Sequence, residues 1–553
     1  MSNNIVPIKL ARTNYPLTHI NNQRTWAVLK GCGENSYQVF PSTSFDNSQI
    51  TITCNPPSNR IVVDRLIFVR NTYLINFTGV DQGSNLIQLG SNDAPRAMPI
   101  AATTNTITVS VNNDQFTTNL NQYWSGLSRY HNTLNNRDEF LSMTPAFQDK
   151  SQLYSDLAPG STRNPLGNYS DSADGQILRG GYADIDVVSN SHTAAQIRLR
   201  VTEPLYLSPF LFSGEDCLDS GFVGVNNMSL VLTNGDLNRV WSHSSLGNAL
   251  LSISTTLVAS EAQFHYLAPN ITSPLPVEQS WPYFEVTSYP TSIGSLAAGA
   301  SSVFSVNSVQ IKAIPNKIYV FARRSDATQS YLTTDTFAGI SNITVSYGTK
   351  VGLLSTASQQ ELYQMSLKNG LKMNYSEFIA NIGSVVCIKP GEDIGLDALS
   401  ASGMLDNQTL SMNVTVKNIS SQTIAYTLYM VVVNSGTVSM VNGSFMHQVG
   451  VFNSQDVLNL DNENAPVVPY VKDISVYGGN WLDSVKNWLV NARDKVKPYL
   501  SPILDFIPDP RVQAARKVIG VGARRKMSKK RGGVLVGGKK MSKDMLRDRL
   551  MSN

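Results

Sequence analysis

A mainly β fold, two tandem jelly-roll β-barrels with inserted helices, is predicted by three features of this 553-residue chain. Short alternating or continuous apolar runs, bounded by Asn, Pro, Ser and Gly, recur along most of it. Helical spacing enters only as brief insertions between such runs, the order of a jelly roll rather than of an alternating α/β enzyme. Charged residues make up only 15% of the chain while Ser, Thr and Asn abound, a globular β composition and not a disordered one. An amphipathic C-terminal helix and a basic tail complete the predicted architecture.

Residues 1–35 form an irregular arm with Pro7 and Pro16. The first barrel is expected over 36–269. YQVF, QITITC and RIVVDRLIFVRNTYLINFTG open it as strands, with Asp64 and Arg65 interrupting the third as a local surface or edge pair. From Asp114 to Met143, Phe116, Leu120, Trp124, Leu127 and Tyr130 recur at every three or four positions. One helix buries such a stripe against a barrel end, and a stripe of this kind is core rather than a cofactor box. Residues 144–182, rich in Pro, Gly, Asn, Asp and Ser, read as a long surface loop. Strand texture returns in AQIRLRVTEPLYLSPFLF, bent at its end by Pro204 and Pro209. Glu203 has no second carboxylate at a recognisable offset, so a structural ion pair is its expected role. NNMSLVLTN, NALLSISTTLV and AQFHYLAP close the barrel, and 270–280 reads as a linker.

The second barrel is expected over 281–445. FEVTSYPTS, SSVFSVNSVQIKA, IKAIPNKIYVFARR and ISNITVSYGTK are its first strands. A helix of about three turns follows, carrying Leu354, Leu362, Met365 and Leu367, starting at Ser355 and Thr356 and capped by Gly370. SVVCIKP and LSMNVTVKN resume the sheet, and TIAYTLYMVVVNSGTVSMVNG reads as a hairpin turning at Ser435 and Gly436. Both stretches share a strand, helix, strand order, an internal duplication without visible sequence repetition.

The extension 446–510 contains an amphipathic helix at 480–500, with Trp481, Leu482, Val485, Trp488 and Leu489 on one face. Asn480 can cap it and Pro498 can stop it. Two roles fit: a helix packed against protein, or an interfacial membrane-active helix with two Trp and a basic opposite face. The tail 511–553 is basic, Gly-broken and expected to be disordered. It holds 14 Lys and Arg against 2 acidic residues, leaving 30 basic and 38 acidic residues in the body. The net charge of +4 therefore conceals an acidic body with a basic tail. Arg524, Arg525, Lys526, Lys529, Lys530 and Arg531 form its densest cluster, suited to neutralising phosphate on double-stranded DNA without reading bases. A solubilising or nuclear-import tail is the competing reading.

Neither a phosphate-binding loop nor a nucleophile elbow, zincin or dinucleotide fingerprint is present. His19, His131, His192, His243, His265 and His447 stand in unrelated contexts, and Cys32, Cys54, Cys217 and Cys387 lack zinc or disulfide spacing. No catalytic residue, cofactor or metal is expected, and the thiols read as buried and reduced. The N-terminal residues lack the apolar core of a signal peptide, and no run approaches the ~20 apolar residues of a membrane span. An enzyme on a β scaffold and a jelly-roll lectin or adhesin are the readings from other classes.

Pro315–Arg324 (PNKIYVFARR), followed by SQQELYQMSLKNG, resembles the second barrel of double jelly-roll major capsid proteins from polinton-like viruses, virophages and adintoviruses, in the lineage that includes adenovirus. The EPL and SPF runs at 203–210, with the Gly-Phe loop at Ser220–Val223, are similar too. This resemblance implies a homotrimer shaped as a pseudo-hexameric tile, and an icosahedral shell around a DNA genome. Penton and minor capsid proteins are the implied partners, and the virion, assembled inside the host cell, the implied location. A single-jelly-roll capsid protein with a projecting domain is the runner-up. Such viruses commonly encode a maturation protease that cuts after an aliphatic residue, any residue and Gly-Gly. Leu535–Gly538 fits that pattern with cleavage after Gly538, and Val476–Gly479 fits it more weakly with cleavage after Gly479. Leu178–Gly181 also fits but adjoins a strand.

Overall fold

The architecture comes from a computed structural model, which describes residues 32–130, 152–156, 184–210, 221–269 and 278–450, apart from isolated positions, and strands at 533–536 and 539–542. The chain divides into two compact units, Met1–Ser454 and Gln455–Asn553. Both barrels lie in the first unit.

Eight strands build the first barrel: β1 (Cys32–Pro41), β2 (Gln49–Thr53), β3 (Phe68–Gly79), β4 (Thr104–Val111), β5 (Asp114–Thr118), β6 (Ala194–Pro204), β7 (Met228–Asn234) and β8 (Leu250–Pro269). They pair as two antiparallel sheets, β1-β8-β3-β6 and β2-β7-β4-β5. The strand Asp184–Asn190 extends the first sheet beyond β6. Eight more build the second barrel: β9 (Glu278–Leu296), β10 (Ser301–Gln310), β11 (Lys317–Arg324), β12 (Gly339–Tyr347), β13 (Lys350–Leu353), β14 (Val385–Ile388), β15 (Thr409–Lys417) and β16 (Ile424–Val441). Their sheets are β9-β16-β11-β14 and β10-β15-β12-β13. The second barrel repeats the first strand for strand, each number raised by eight, so the predicted duplication is present in the pairing itself.

The pleat explains the sequence texture. In β3, Val69, Tyr73, Ile75 and Phe77 point into the barrel while Arg70, Thr72, Leu74 and Asn76 point away, the alternation of a half-buried strand. Strands β11 and β16 instead carry continuous apolar runs, and both of their faces are buried. One face looks into the second barrel, and the other is covered by the first barrel.

Among the described residues, three α-helices punctuate the strands: α1 (Pro99–Thr103), α2 (Leu120–Leu127) and α3 (Gln359–Lys368). The second and third occupy the same place in their barrels, between the fifth and sixth strands. Three local expectations need correcting. Phe116 belongs to β5 and not to the helical stripe, although it is buried with Leu120, Trp124, Leu127 and Tyr130. Helix α3 starts later than predicted: Ser358 caps it in a capping box with Glu361, while Leu354 sits in the preceding turn at φ 61°. Its C-terminal side behaves as expected, with Gly370 at φ 107°. Ser435 and Gly436 make no turn, because β16 runs unbroken and the chain reverses only after Val441. Gly436 is required for close approach instead, since a Cβ there would fall on the Gln448 carbonyl of the neighbouring strand.

Part of the predicted surface loop is interior. Tyr154 and Gln152 are buried against the segment before β12, with the Tyr154 N–H donating to Leu332 O at 3.1 Å. The rest of that loop, His19, His131, Cys217 and the amphipathic helix 480–500 lie outside the described residues. In the tail, Gly533–Val536 pairs antiparallel with Lys539–Ser542, regular structure where the sequence suggested none. No described helix is long and apolar enough to cross a membrane.

Candidate functional site: the seam between the barrels

The sites predicted from sequence all fall in the second unit. Gly479, Gly538, Trp481, Leu482, Val485, Trp488, Leu489 and the cluster Arg524, Arg525, Lys526, Lys529, Lys530 and Arg531 lie outside the described residues. What the structure assembles is a buried polar seam joining the two barrels.

Asp335, in the segment between β11 and β12, is its centre. Arg96, before α1, donates to Asp335 Oδ2 at 2.8 Å, and Arg239, between β7 and β8, donates to Oδ1 at 2.8 Å. Arg129, just after α2, reaches the Asp335 carbonyl at 3.2 Å. Three arginines from three loops of the first barrel thus meet one loop of the second. Arg96 also donates to the carbonyls of Arg239, Ser330 and Thr333. Burial alone would raise the Asp335 carboxyl, but the guanidinium groups of Arg96 and Arg239 overcome it and hold the value at about 2. Burial and the neighbouring Arg96 push Arg239 down to about 10, so it stays charged at neutral pH.

Beside this cluster, α2 lies on the outer face of the second barrel's sheet. Gly126 sits so close to Phe321 of β11 that a Cβ would overlap the ring. Arg323 donates to Asn121 O at 2.7 Å and Asp326 at 2.7 Å, and its guanidinium stacks over Tyr429 of β16. Tyr130 packs edge-on against Tyr319 and donates to Val385 O at 2.6 Å. At the other end, the β4–β5 turn grips the strand Ser444–Val449. Asn112 donates to Gly443 O, Asn113 brackets Phe445 through its N–H and carbonyl, and Asp114 pairs with His447 at 2.8 Å. Phe116, Phe222, Trp281, Tyr283 and Phe445 fill the space between with tilted and edge-to-face ring contacts.

Two residues considered from sequence take other roles than expected. Arg65 is no surface residue: it is buried and donates to Pro209 O at 2.7 Å, while Asp64 pairs with His265. Glu203 forms no ion pair with Arg200, which pairs with Asp184. Its carboxylate accepts the N–H groups of Ile100 at 2.8 Å and Ala101 at 3.0 Å, satisfying the start of α1. Burial pushes its acidity to about 7, against the two hydrogen bonds that lower it. Arg239 meets the other end of α1, donating to Ala102 O at 3.1 Å. The described histidines at 192, 243, 265 and 447 each pair with an aspartate, and Cys54 and Cys387 are buried free thiols. Among the described residues, no three His, Cys, Asp or Glu side chains gather as a metal site.

Two eight-stranded jelly rolls in one chain, joined across a buried polar seam, are the architecture of the double jelly-roll class of major capsid proteins. The family model for the first domain of the Sputnik virophage major capsid protein matches residues 10–272, and that for the C-terminal domain of major capsid protein V20 matches 284–436. The putative capsid protein V20 of Sputnik virophage is 34% identical, with 100% of each chain covered. A cryo-EM structure of Sputnik virophage matches with a TM-score of 0.73 and 33% identity, over 86% of this chain and 100% of that one. The mavirus major capsid protein, 15% identical, shares the fold with a TM-score of 0.64 over 80% and 96% of the two chains. The chain belongs to the virophage major capsid protein family, and it is a structural protein of the virion.

Proposed function

We propose that three copies of this chain associate into a homotrimer whose six barrels make a pseudo-hexameric tile, and that such tiles close an icosahedral shell around a DNA genome. One observation carries the reading: the second barrel reproduces the strand order of the first, so three chains supply six like units. Family membership supports it. The chain works by assembly and not by catalysis, with penton and minor capsid proteins completing the shell. Purified full-length protein is expected to sediment at three times the chain mass, and a stable monomer at micromolar concentration rejects the tile.

The second unit serves the interior of the particle. The tail 511–553 contacts duplex DNA through phosphate, its 14 cationic side chains being the support. A tail peptide should bind any duplex, with log K falling linearly in log salt by about 0.9 per phosphate contacted. Binding that ignores salt excludes this role. A maturation protease trims the chain after Gly538, and after Gly479 to release the amphipathic helix with its membrane-active face. Intact-mass measurement on chains from mature particles should find ends at Gly538 or Gly479, and chains ending only at Asn553 exclude processing.

A further inference from the structure

Glu203, at the end of β6, is buried in the first barrel with no cation beside it among the described residues. The titratable groups near it are Tyr73 of β3 and Tyr206 just beyond β6, both buried and neutral, and α1 brings none. Its two oxygens accept separately from the Ile100 and Ala101 N–H groups, so this one side chain seats the first turn of α1. Met98, just before that turn, is held at φ 51°, a left-handed conformation that a side chain disfavours. The same short segment carries the seam. Arg96 stands two residues before Met98, and Arg239 donates to Ala102 O at the far end of α1. Both guanidinium groups meet Asp335 of the second barrel at 2.8 Å, and Arg96 also donates to Arg239 O at 2.7 Å. Helix α1 thus runs from a buried acid in one core to the ion cluster that joins the two barrels.

We propose that α1 is a proton-operated strut: with Glu203 protonated it stays seated and the seam is tight, and loss of that proton loosens α1 and the seam with it. The cause is the burial of a charge. A carboxylate held by two amides and no cation lacks hydration that only a local opening restores. The protonated acid is neutral and still accepts an N–H through its carbonyl oxygen, so it has no such need. Burial moves the acidity of Glu203 from 4.5 to about 7, which sets the change near neutrality. Because the closed segment holds the proton more tightly than an opened one, opening grows easier as pH rises from 4.5 to 7, then levels off. Release also lets Met98 leave its strained φ. The effect reaches the second barrel because a displacement of α1 carries Arg96 and Arg239 away from Asp335, which stays ionised throughout this window. Such coupling is reciprocal, so disturbing Asp335 alters the proton affinity of Glu203. For a shell protein, this places firmness in mild acid and loosening at mildly alkaline pH.

Amide hydrogen exchange of the full-length chain tests this, read by mass spectrometry at pH 5 and pH 8 with labelling times scaled to the intrinsic rate. Peptides covering α1 and residues 330–336 are expected to lose protection together at pH 8, where opening is on the order of 100-fold more populated. Glu203→Gln keeps an acceptor and stays neutral at both pH values, so both peptides are expected to remain protected. That variant leaves the nearby His243–Asp93 pair intact, which separates Glu203 from the histidine. Equal protection at the two pH values in the unmodified chain, or an equal loss in Glu203→Gln, overturns the strut. A loss confined to α1, with residues 330–336 unchanged, overturns its link to the seam. Should Glu203→Gln melt early, Asp335→Asn supplies the second arm through reciprocity. It is expected to move the loss in α1 to lower pH, and a loss that does not move overturns the coupling.

Discussion

Asp335 concentrates the linkage of the barrels in one carboxylate. It faces two guanidinium groups at 2.8 Å, both buried with it. Asp335→Asn leaves those charges uncompensated, and breaking a buried pair costs about 3–5 kcal/mol. Urea unfolding should show that loss as a lower midpoint, and an unchanged midpoint would count against the cluster as a structural lock. The pH dependence follows from two carboxyls of opposite behaviour. Asp335 has a folded value of about 2, below its ordinary 3.8, so the unfolded chain takes up this proton first as pH falls. Its contribution is complete above pH 3.8 and fades toward pH 2, about 2 kcal/mol in all. Burial raises Glu203 from 4.5 to about 7, so the folded chain holds that proton more tightly. Stability should therefore fall as pH rises from 4.5 to 7, on the order of 3 kcal/mol from this group. Unfolding midpoints across that window, compared with those of Glu203→Gln, check the sign: the variant should lose the slope.

Among the elements, α2 bears most on function because it belongs to one barrel and covers the other. Gly126→Ala places a methyl group against Phe321, and overpacking of this kind costs about 1–3 kcal/mol. Thermal unfolding should report an earlier transition, and an unaltered one would show that the seam yields there at no cost. The strands were legible in the sequence where one face is wet, as in β3, since alternation follows directly from the pleat. Strands β11 and β16 were legible as apolar runs, but not what covers their second face. Helix α3 was legible in its Leu362 stripe and Gly370 stop, while Ser355 and Thr356 competed with the true cap Ser358. The apparent turn at Gly436 misled because glycine serves both tight turns and close strand approach, and sequence alone does not separate them. The seam was not legible at all. Arg96, Arg239 and Asp335 come from distant loops, and their only trace is an arginine set among apolar residues, as Arg96 is before Met98, Pro99 and Ile100.

For the whole molecule, the duplication sets the architecture and is the basis of the proposed assembly. Each barrel buries its own core, so loops at one end can vary without disturbing it. The seam then makes the pair a single building block of two like units, and the proposed tile is that block used three times. Direct imaging of purified full-length protein by negative-stain electron microscopy tests this most simply. The account predicts particles with a hexagonal outline and threefold class averages, each showing six barrel-sized lobes. A field of separate two-lobed particles at micromolar concentration would contradict it.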